Sequence, residues 1–272
     1  MPCRLLMNER ASPDRFLATS GIHNLRDYGG YRAAGGRRVV AGRLYRSGHH
    51  ADAGEADLAV VEGLELDHVV DFRGSSERER NACRRPDGFR AELHAYDGET
   101  ASLAPHLEAA QDTLDVAGAH AAMERVYRTL PDRAPVLWVM RRYFEVLARE
   151  PVVTGATLVH CHAGKDRTGM AVYLLHHLLG VHEDDAMEEY LLTNHAPNNE
   201  ERIASGFAGV KDRFRAADEE TVRVLMGVDA RYIWAMRREV ESRHGSLDAF
   251  ADDVLGVDPA RRETLRFRLL ED

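Results

Sequence analysis

The stretch His160-Cys161-His162-Ala163-Gly164-Lys165-Asp166-Arg167-Thr168-Gly169 decides how the rest of the chain is read. Before it, Ala156-Thr157-Leu158-Val159-His160 is a short apolar run with strand character, set off by Pro151 and Gly155. After it, Thr168 to Leu179 is apolar nearly all round, the pattern of a helix buried inside a domain. Gly180 is placed to cap the end of that helix. The segment is therefore a loop joining a strand to a helix. Backbone N–H groups of so short a loop can wrap one phosphate as an anion nest, and the helix N-terminus adds the favourable end of its dipole. Arg167 supplies a planar fork able to grip two phosphate oxygens at once, which a lysine does less well. His162, Ala163, Gly164 and Lys165 form the binding loop, with Ala163 and Gly164 keeping bulk away and letting the chain turn. The field that holds an anion also favours the thiolate of Cys161, the nucleophilic form of cysteine, and His160 is placed to assist by hydrogen bonding or charge. A buried, inert cysteine is the plainer reading. Cys, five spacers, Arg, Thr and Gly at one strand-to-helix junction argue against it.

Working outward, Leu58 to Leu64 reads as a helix and His68-Val69-Val70-Asp71-Phe72 as a buried strand. Ala91 to Tyr96 is a further strand, and Leu137 to Leu147 is helical by its apolar spacing. Gly29-Gly30 and Gly35-Gly36 bracket a small hairpin. The region Glu99 to Arg133 is mixed and polar, without a strand signal. Acidic residues Glu183, Asp184 and Asp185 open another helix. The last third reads as helical throughout, with Ser246 capping a helix whose Leu247, Phe250 and Val254 share a face. This order predicts an α/β fold with a central, mainly parallel sheet flanked by helices and a helical C-terminal part. With no linker in sight, residues 1–272 are expected to form one domain, with a helical lid or extension within 196–230.

The composition is that of an ordinary globular protein, 44% hydrophobic and 30% charged. A net charge of −9 argues against nucleic acid and anionic membranes as partners, so an anion site must be local. Lys165 and Lys211 are the two lysines of the chain, and Arg carries the remaining positive charge. No run has the length of a membrane span or the look of a signal peptide, and Cys3, Cys83 and Cys161 are too few and too scattered for a disulfide framework. These features predict a cytoplasmic protein with reduced thiols and no integral membrane contact. Export without a signal and the oligomeric state stay open.

The loop is the signature of the cysteine-dependent tyrosine-phosphatase superfamily. Its Lys165-Asp166 pair resembles the bacterial atypical protein-tyrosine phosphatases with lipid-phosphatase activity, whose loop reads His-Cys-x-Ala-Gly-Lys-Asp-Arg. Asn24-Leu25-Arg26-Asp27-Tyr28-Gly29-Gly30 is similar to that family's N-terminal motif, and Gly42-Arg43-Leu44-Tyr45-Arg46-Ser47 to its next block. Asp71-Phe72-Arg73 is similar to its Asp-Leu-Arg strand end, and Tyr232 to Leu255 also has the family's look. The likeness covers most of the chain, although the loop alone is highly specific. It implies a tyrosine-phosphatase-like fold in which Cys161 is the nucleophile and forms a phosphocysteine. Arg167 would bind the phosphoryl oxygens, and Asp166 would protonate the leaving group and then activate water. Lys165 would contact a second phosphate or acidic group of the substrate. The implied substrates are phosphoproteins or phosphoinositides, with no cofactor.

Asp71 closes one expected strand as Cys161 follows another, so it is a further candidate at the same end of the sheet. It would orient Arg167, share the acid role with Asp166, or simply pair with a neighbour. Asp27 reads as a turn residue bonding its own backbone. The histidines His160, His162, His176, His177 and His182 lack a zinc-like spacing, and a metal on Cys161 would block the nucleophile. Cys83 and Cys3 are read as structural, with an oxidative bridge to Cys161 as the alternative. Two other functions compete: a non-catalytic phosphate-binding module of the same fold, and an arsenate reductase. The module is disfavoured because Cys, Arg and acid are all present, and the reductase because no relay cysteine follows Arg167.

Overall fold

The computed structural model describes residues 15–100, 104–110, 115–149, 155–204 and 218–272. A five-stranded sheet forms the centre. Its strands are β1 (Arg26–Asp27), β3 (Leu44–Ser47), β4 (Leu66–Asp71), β5 (Glu92–Ala95) and β6 (Ala156–His160), in the order β1-β3-β6-β4-β5. The four longer strands run parallel, and β1 joins antiparallel to β3. A separate ribbon pairs β2 (Arg38–Val39) with β7 (Leu270–Glu271), tying the early chain to its last helix.

The helices are α1 (Glu55–Glu62), α2 (Ser75–Arg80), α3 (Pro105–Ala110), α4 (Val116–Thr129), α5 (Ala134–Ala148), α6 (Asp166–Leu179), α7 (Glu183–Leu191), α8 (Glu219–Met226), α9 (Ala230–His244), α10 (Leu247–Asp253) and α11 (Pro259–Leu269). The α/β architecture with a helical C-terminal part is the expected one. Residues 156–160 form the strand read from the sequence, and α6 is buried on almost every face, as its largely apolar run from Gly169 onward requires. Gly180 ends α6 at φ +77°, a left-handed cap. Ser246 caps α10 by accepting from the Ala249 amide at 3.0 Å. The small hairpin is present as the Arg32–Arg38 bridge, turned over Ala34–Gly36.

Two stretches differ from the sequence reading. The polar-looking region Glu99 to Arg133 carries α3 and α4, and α4 buries Ala119, Ala122, Met123, Val126 and Tyr127. Those positions are spaced i, i+3, i+4, i+7, i+8, and Asp115 caps the helix. Small alanines and one tyrosine make a face that composition alone hides. The lid expected within 196–230 falls partly outside the described residues, at 205–217; its described part includes α8, which buries Val222, Leu225 and Met226 and packs on α3 and α4.

The register brings the functional end of the sheet together. Ser47 lies beside His160, and Asp71 lies beside His160 on the other side. The segments after β3, β4 and β6 therefore emerge side by side, at the strand C-termini where ligands of α/β sheets gather.

Candidate active site

Cys161 follows β6 directly and Arg167 opens the first turn of α6, so strand and helix fix the two ends of the loop. Gly164 sits between them at φ +67°, and a Cβ there would lie 2.4 Å from the Ser47 carbonyl. Only glycine fits so close an approach with that backbone. The Gly164 carbonyl then accepts from Arg46 Nη2 at 2.7 Å and Asn24 Nδ2 at 2.9 Å. The His49 amide donates to the His162 carbonyl at 3.0 Å. The loop is thus held from outside, by residues of the two N-terminal blocks.

Arg46 is itself held by Glu189 of α7, whose carboxylate also takes Arg26. The distances are 2.6 Å to Arg46 and 2.8 Å to Arg26, and all three side chains are buried. Burial works to raise the Glu189 carboxyl, but the two guanidiniums overcome it and bring it down to about 2. Asp27 is a turn residue, accepting from the Gly29 and Gly42 amides.

Arg167 is gripped by Glu77 of α2. Its Nη1 and Nη2 meet the two carboxylate oxygens at 2.6 and 2.8 Å, and Nη1 also donates to the Phe72 carbonyl and Thr100 hydroxyl. Burial would raise the Glu77 carboxyl, and the Arg167 pair holds it below its ordinary range. The end-on edge of the guanidinium is thereby filled. Nε, on the side-on edge, finds no acceptor among the described residues. With the second Nη2 hydrogen it presents a two-pronged donor to an oxyanion.

The sequence did not single out Glu77 or Glu189. Glu77 is the N3 residue of α2 and accepts from the Gly74 amide, so a carboxylate three residues past a helix start was the visible signal. Nothing local to residues 183–191 marks Glu189. Glu77→Gln keeps the shape but loses the charge and turns one oxygen into a donor facing Arg167. We expect a 10- to 100-fold fall in kcat/KM with the fold intact, on the order expected for a small misplacement of a binding group. Steady-state kinetics beside a circular-dichroism melt check this; unaltered kinetics would show that Arg167 needs no such partner.

The same geometry corrects one expectation for Asp71. Its carboxylate is taken by Arg73, with Nη2 at 2.7 Å and both Nε contacts at 3.0 and 3.1 Å, and it does not orient Arg167. Its remaining neighbour is His160, 3.5 Å away. Burial holds His160 down at about 3 despite Asp71, so this imidazole is neutral and adds no positive charge beside Cys161. Cys83 is free and receives Arg73 Nη2 at 3.1 Å, while Cys3 lies outside the described residues.

Lys165 also departs from expectation. Its side chain is wholly buried, and Nζ donates to the main-chain carbonyls of Leu225 at 2.6 Å and Gly227 at 2.9 Å. It fastens the loop to the end of α8 instead of reaching outward to a second phosphate. Burial lowers it to about 8, with Asp166 at 3.4 Å pulling the other way. Asp166 is buried and accepts from Tyr127 Oη at 3.0 Å, and Tyr127 is bonded to Tyr190 at 2.7 Å. Arg202, which the sequence reading passed over, is within electrostatic reach of both Cys161 and Asp166. Its Nη2 and His162 Nδ1 find no partner among the described residues.

A strand-end cysteine, a glycine-turned loop and an arginine offering its side-on edge are the parts of a phosphate-monoester site. The model of the tyrosine phosphatase family matches residues 17–271. This chain belongs to the tyrosine phosphatase family. A protein of Cupriavidus necator, provisionally named a tyrosine-protein phosphatase, is 37% identical over 250 residues, covering 90% of this chain and 86% of its own. The triple specificity protein phosphatase PtpB of Mycobacterium tuberculosis is 28% identical over 278 residues, covering 92% of this chain and 97% of its own. The chain is accordingly a phosphatase, a hydrolase of phosphoric esters acting on phosphorylated substrates. Among the described residues, no helix of this phosphatase is long and apolar enough to cross a membrane.

Proposed function

We propose that the phosphatase works through a phosphocysteine on Cys161. The observation that carries this reading is the pairing of Arg167 with Glu77, which commits one edge of the guanidinium and leaves the other for a phosphoryl group. In the first step the Cys161 sulfur attacks phosphorus, and the S–P bond forms as the P–O bond to the leaving group breaks. The loop amides and the side-on edge of Arg167 take the charge on the three equatorial oxygens. Asp166 delivers a proton to the departing oxygen. In the second step Asp166 takes a proton from water, whose oxygen attacks phosphorus and releases the sulfur as thiolate. Neutral His162 and Ala163 line the loop without adding a competing anion.

The substrate range we assign is phosphotyrosine first, with phosphoserine, phosphothreonine and phosphoinositide monoesters as the wider set. With Lys165 turned inward, Arg202 is the cation that supports a substrate bearing more than one negative group. The test is a turnover panel of these esters in excess chelator, with acid quenching to trap labelled phosphate on the chain. Chelator-resistant release with label on Cys161 is expected. Binding of phosphate by folded protein with no release on any ester would instead favour the non-catalytic module.

Asp166→Asn separates the acid role from general damage. Loss of the proton donor is expected to slow alkyl phosphates by about 10²- to 10⁴-fold, and p-nitrophenyl phosphate far less, since its leaving group departs without a proton. Equal slowing of both would remove Asp166 from that role.

A further inference from the structure

Away from the loop, on the outer part of the sheet, three side chains of β4 and β5 converge. The two strands are parallel, with His68 opposite Glu92 and Val70 opposite His94. Alternate residues of a strand share a face, so His68, Glu92 and His94 project to one side. There His94 Nε2 lies 3.1 Å from His68 Nδ1. Glu92 Oε2 is 3.6 Å from His68 Nδ1, and Oε1 is 3.7 Å from His94 Nδ1. One donor atom from each residue fits within a sphere where all lie within 4.8 Å of one another.

The geometry points to a binding site for a divalent transition ion, zinc by preference, held by His68 Nδ1, His94 Nε2 and Glu92 Oε2. Zinc bound by two imidazoles at about 2.0–2.1 Å in tetrahedral array sets the two nitrogens roughly 3.4 Å apart. The pair stands within a few tenths of an ångström of that. Two imidazoles and one carboxylate suit a borderline ion such as Zn²⁺, Co²⁺ or Ni²⁺ and disfavour Mg²⁺ or Ca²⁺. The remaining coordination position is left to water.

The proton count closes without a net change. The 3.1 Å contact between ring nitrogens holds one shared hydrogen, and Arg142 Nε, 3.2 Å from His94 Nδ1, puts that hydrogen on His94 Nε2. On binding, the ion replaces the hydrogen between the rings, and the proton moves to His94 Nδ1. There it faces Glu92 Oε1, a carboxylate behind a ligating histidine. In this arrangement His94 donates through Nε2 and accepts at Nδ1 while His68 accepts at Nδ1, so no proton need be lost. Two cations oppose the ion: Arg149, 2.7 Å from Glu92 Oε2, and Arg142. Both are part exposed, at 52% and 37%, and can turn into water at little cost. Their presence sets the affinity at a modest level. A bound ion would clasp edge strand β5 to β4, the strand that leads into the helix carrying Glu77.

The test uses the full chain carrying Cys3→Ser, Cys83→Ser and Cys161→Ser, which removes the thiols that would otherwise compete for zinc. Titration calorimetry with Zn²⁺ and the visible spectrum with Co²⁺ are expected to show one equivalent bound through nitrogen and oxygen. His68→Gln and His94→Gln should each weaken binding at least tenfold. Arg149→Gln, a surface change, should tighten it by about 3- to 10-fold through loss of one nearby charge. No saturable binding, binding indifferent to either histidine, or no tightening in Arg149→Gln would overturn the site.

Discussion

Replacing Cys161 by serine is expected to lower kcat by at least about ten-thousand-fold, the scale seen when a nucleophile acting as part of a unit is removed. The oxygen of serine is smaller and less polarisable than sulfur, and its hydroxyl is a weak nucleophile without a base to activate it. Burial keeps His160 neutral, and its Nδ1 donates to the Cys161 carbonyl at 3.3 Å. Anion binding should survive, because Arg167 and its Glu77 pair and the pinned Gly164 turn do not involve the sulfur. Single-turnover kinetics and phosphate titration of the same preparation read the two properties apart. Substantial turnover by the serine variant would end the phosphocysteine proposal.

The second large effect concerns stability. Glu189→Gln leaves Arg26 and Arg46 buried with no compensating charge, and breaking a buried ion cluster in this way costs about 3–5 kcal/mol. For a chain of this size that corresponds to a fall of roughly 5–9 °C in Tm. The pH dependence carries a sign that can be checked. Glu189 is held at about 2 against an ordinary 4.5, so its contribution is complete above 4.5 and is lost as pH falls through 2. The gap between wild type and variant should therefore narrow in acid, in melts taken from neutrality downward. A gap that stays constant would place the cost in packing and not in charge.

Much of this was legible in the chain. Ala156–His160, the largely apolar α6 and the cap at Gly180 were readable because strand and helix periodicity is local. The candidate site was readable for a similar reason: Cys161, the turn at Gly164 and Arg167 fall within seven consecutive positions. What was hidden depends on partners distant in sequence. Glu77 meets Arg167 across 90 positions and Glu189 meets Arg26 across 163; the helix start before Glu77 marks a capping carboxylate but not its arginine partner, and nothing nearby marks Glu189. The same cause explains the two revised roles. Asp71 and Lys165 look like reagents by composition and position, yet Arg73 claims one and the carbonyls of residues 225 and 227 claim the other. α4 escaped because alanines carry little hydrophobic signal, although their spacing was helical.

The Gly164 carbonyl is fastened by Asn24 and Arg46, from 140 and 118 positions away. Contacts that span so much chain carry the loop-closure cost of ordering it and form slowly compared with helices. The cysteine loop therefore takes its shape from contacts that close only when distant parts of the chain have met. The cradle around Cys161 is thus a property of the whole folded chain: a fragment that begins after Arg46 would keep the cysteine and Arg167 but lose both donors that hold the Gly164 carbonyl.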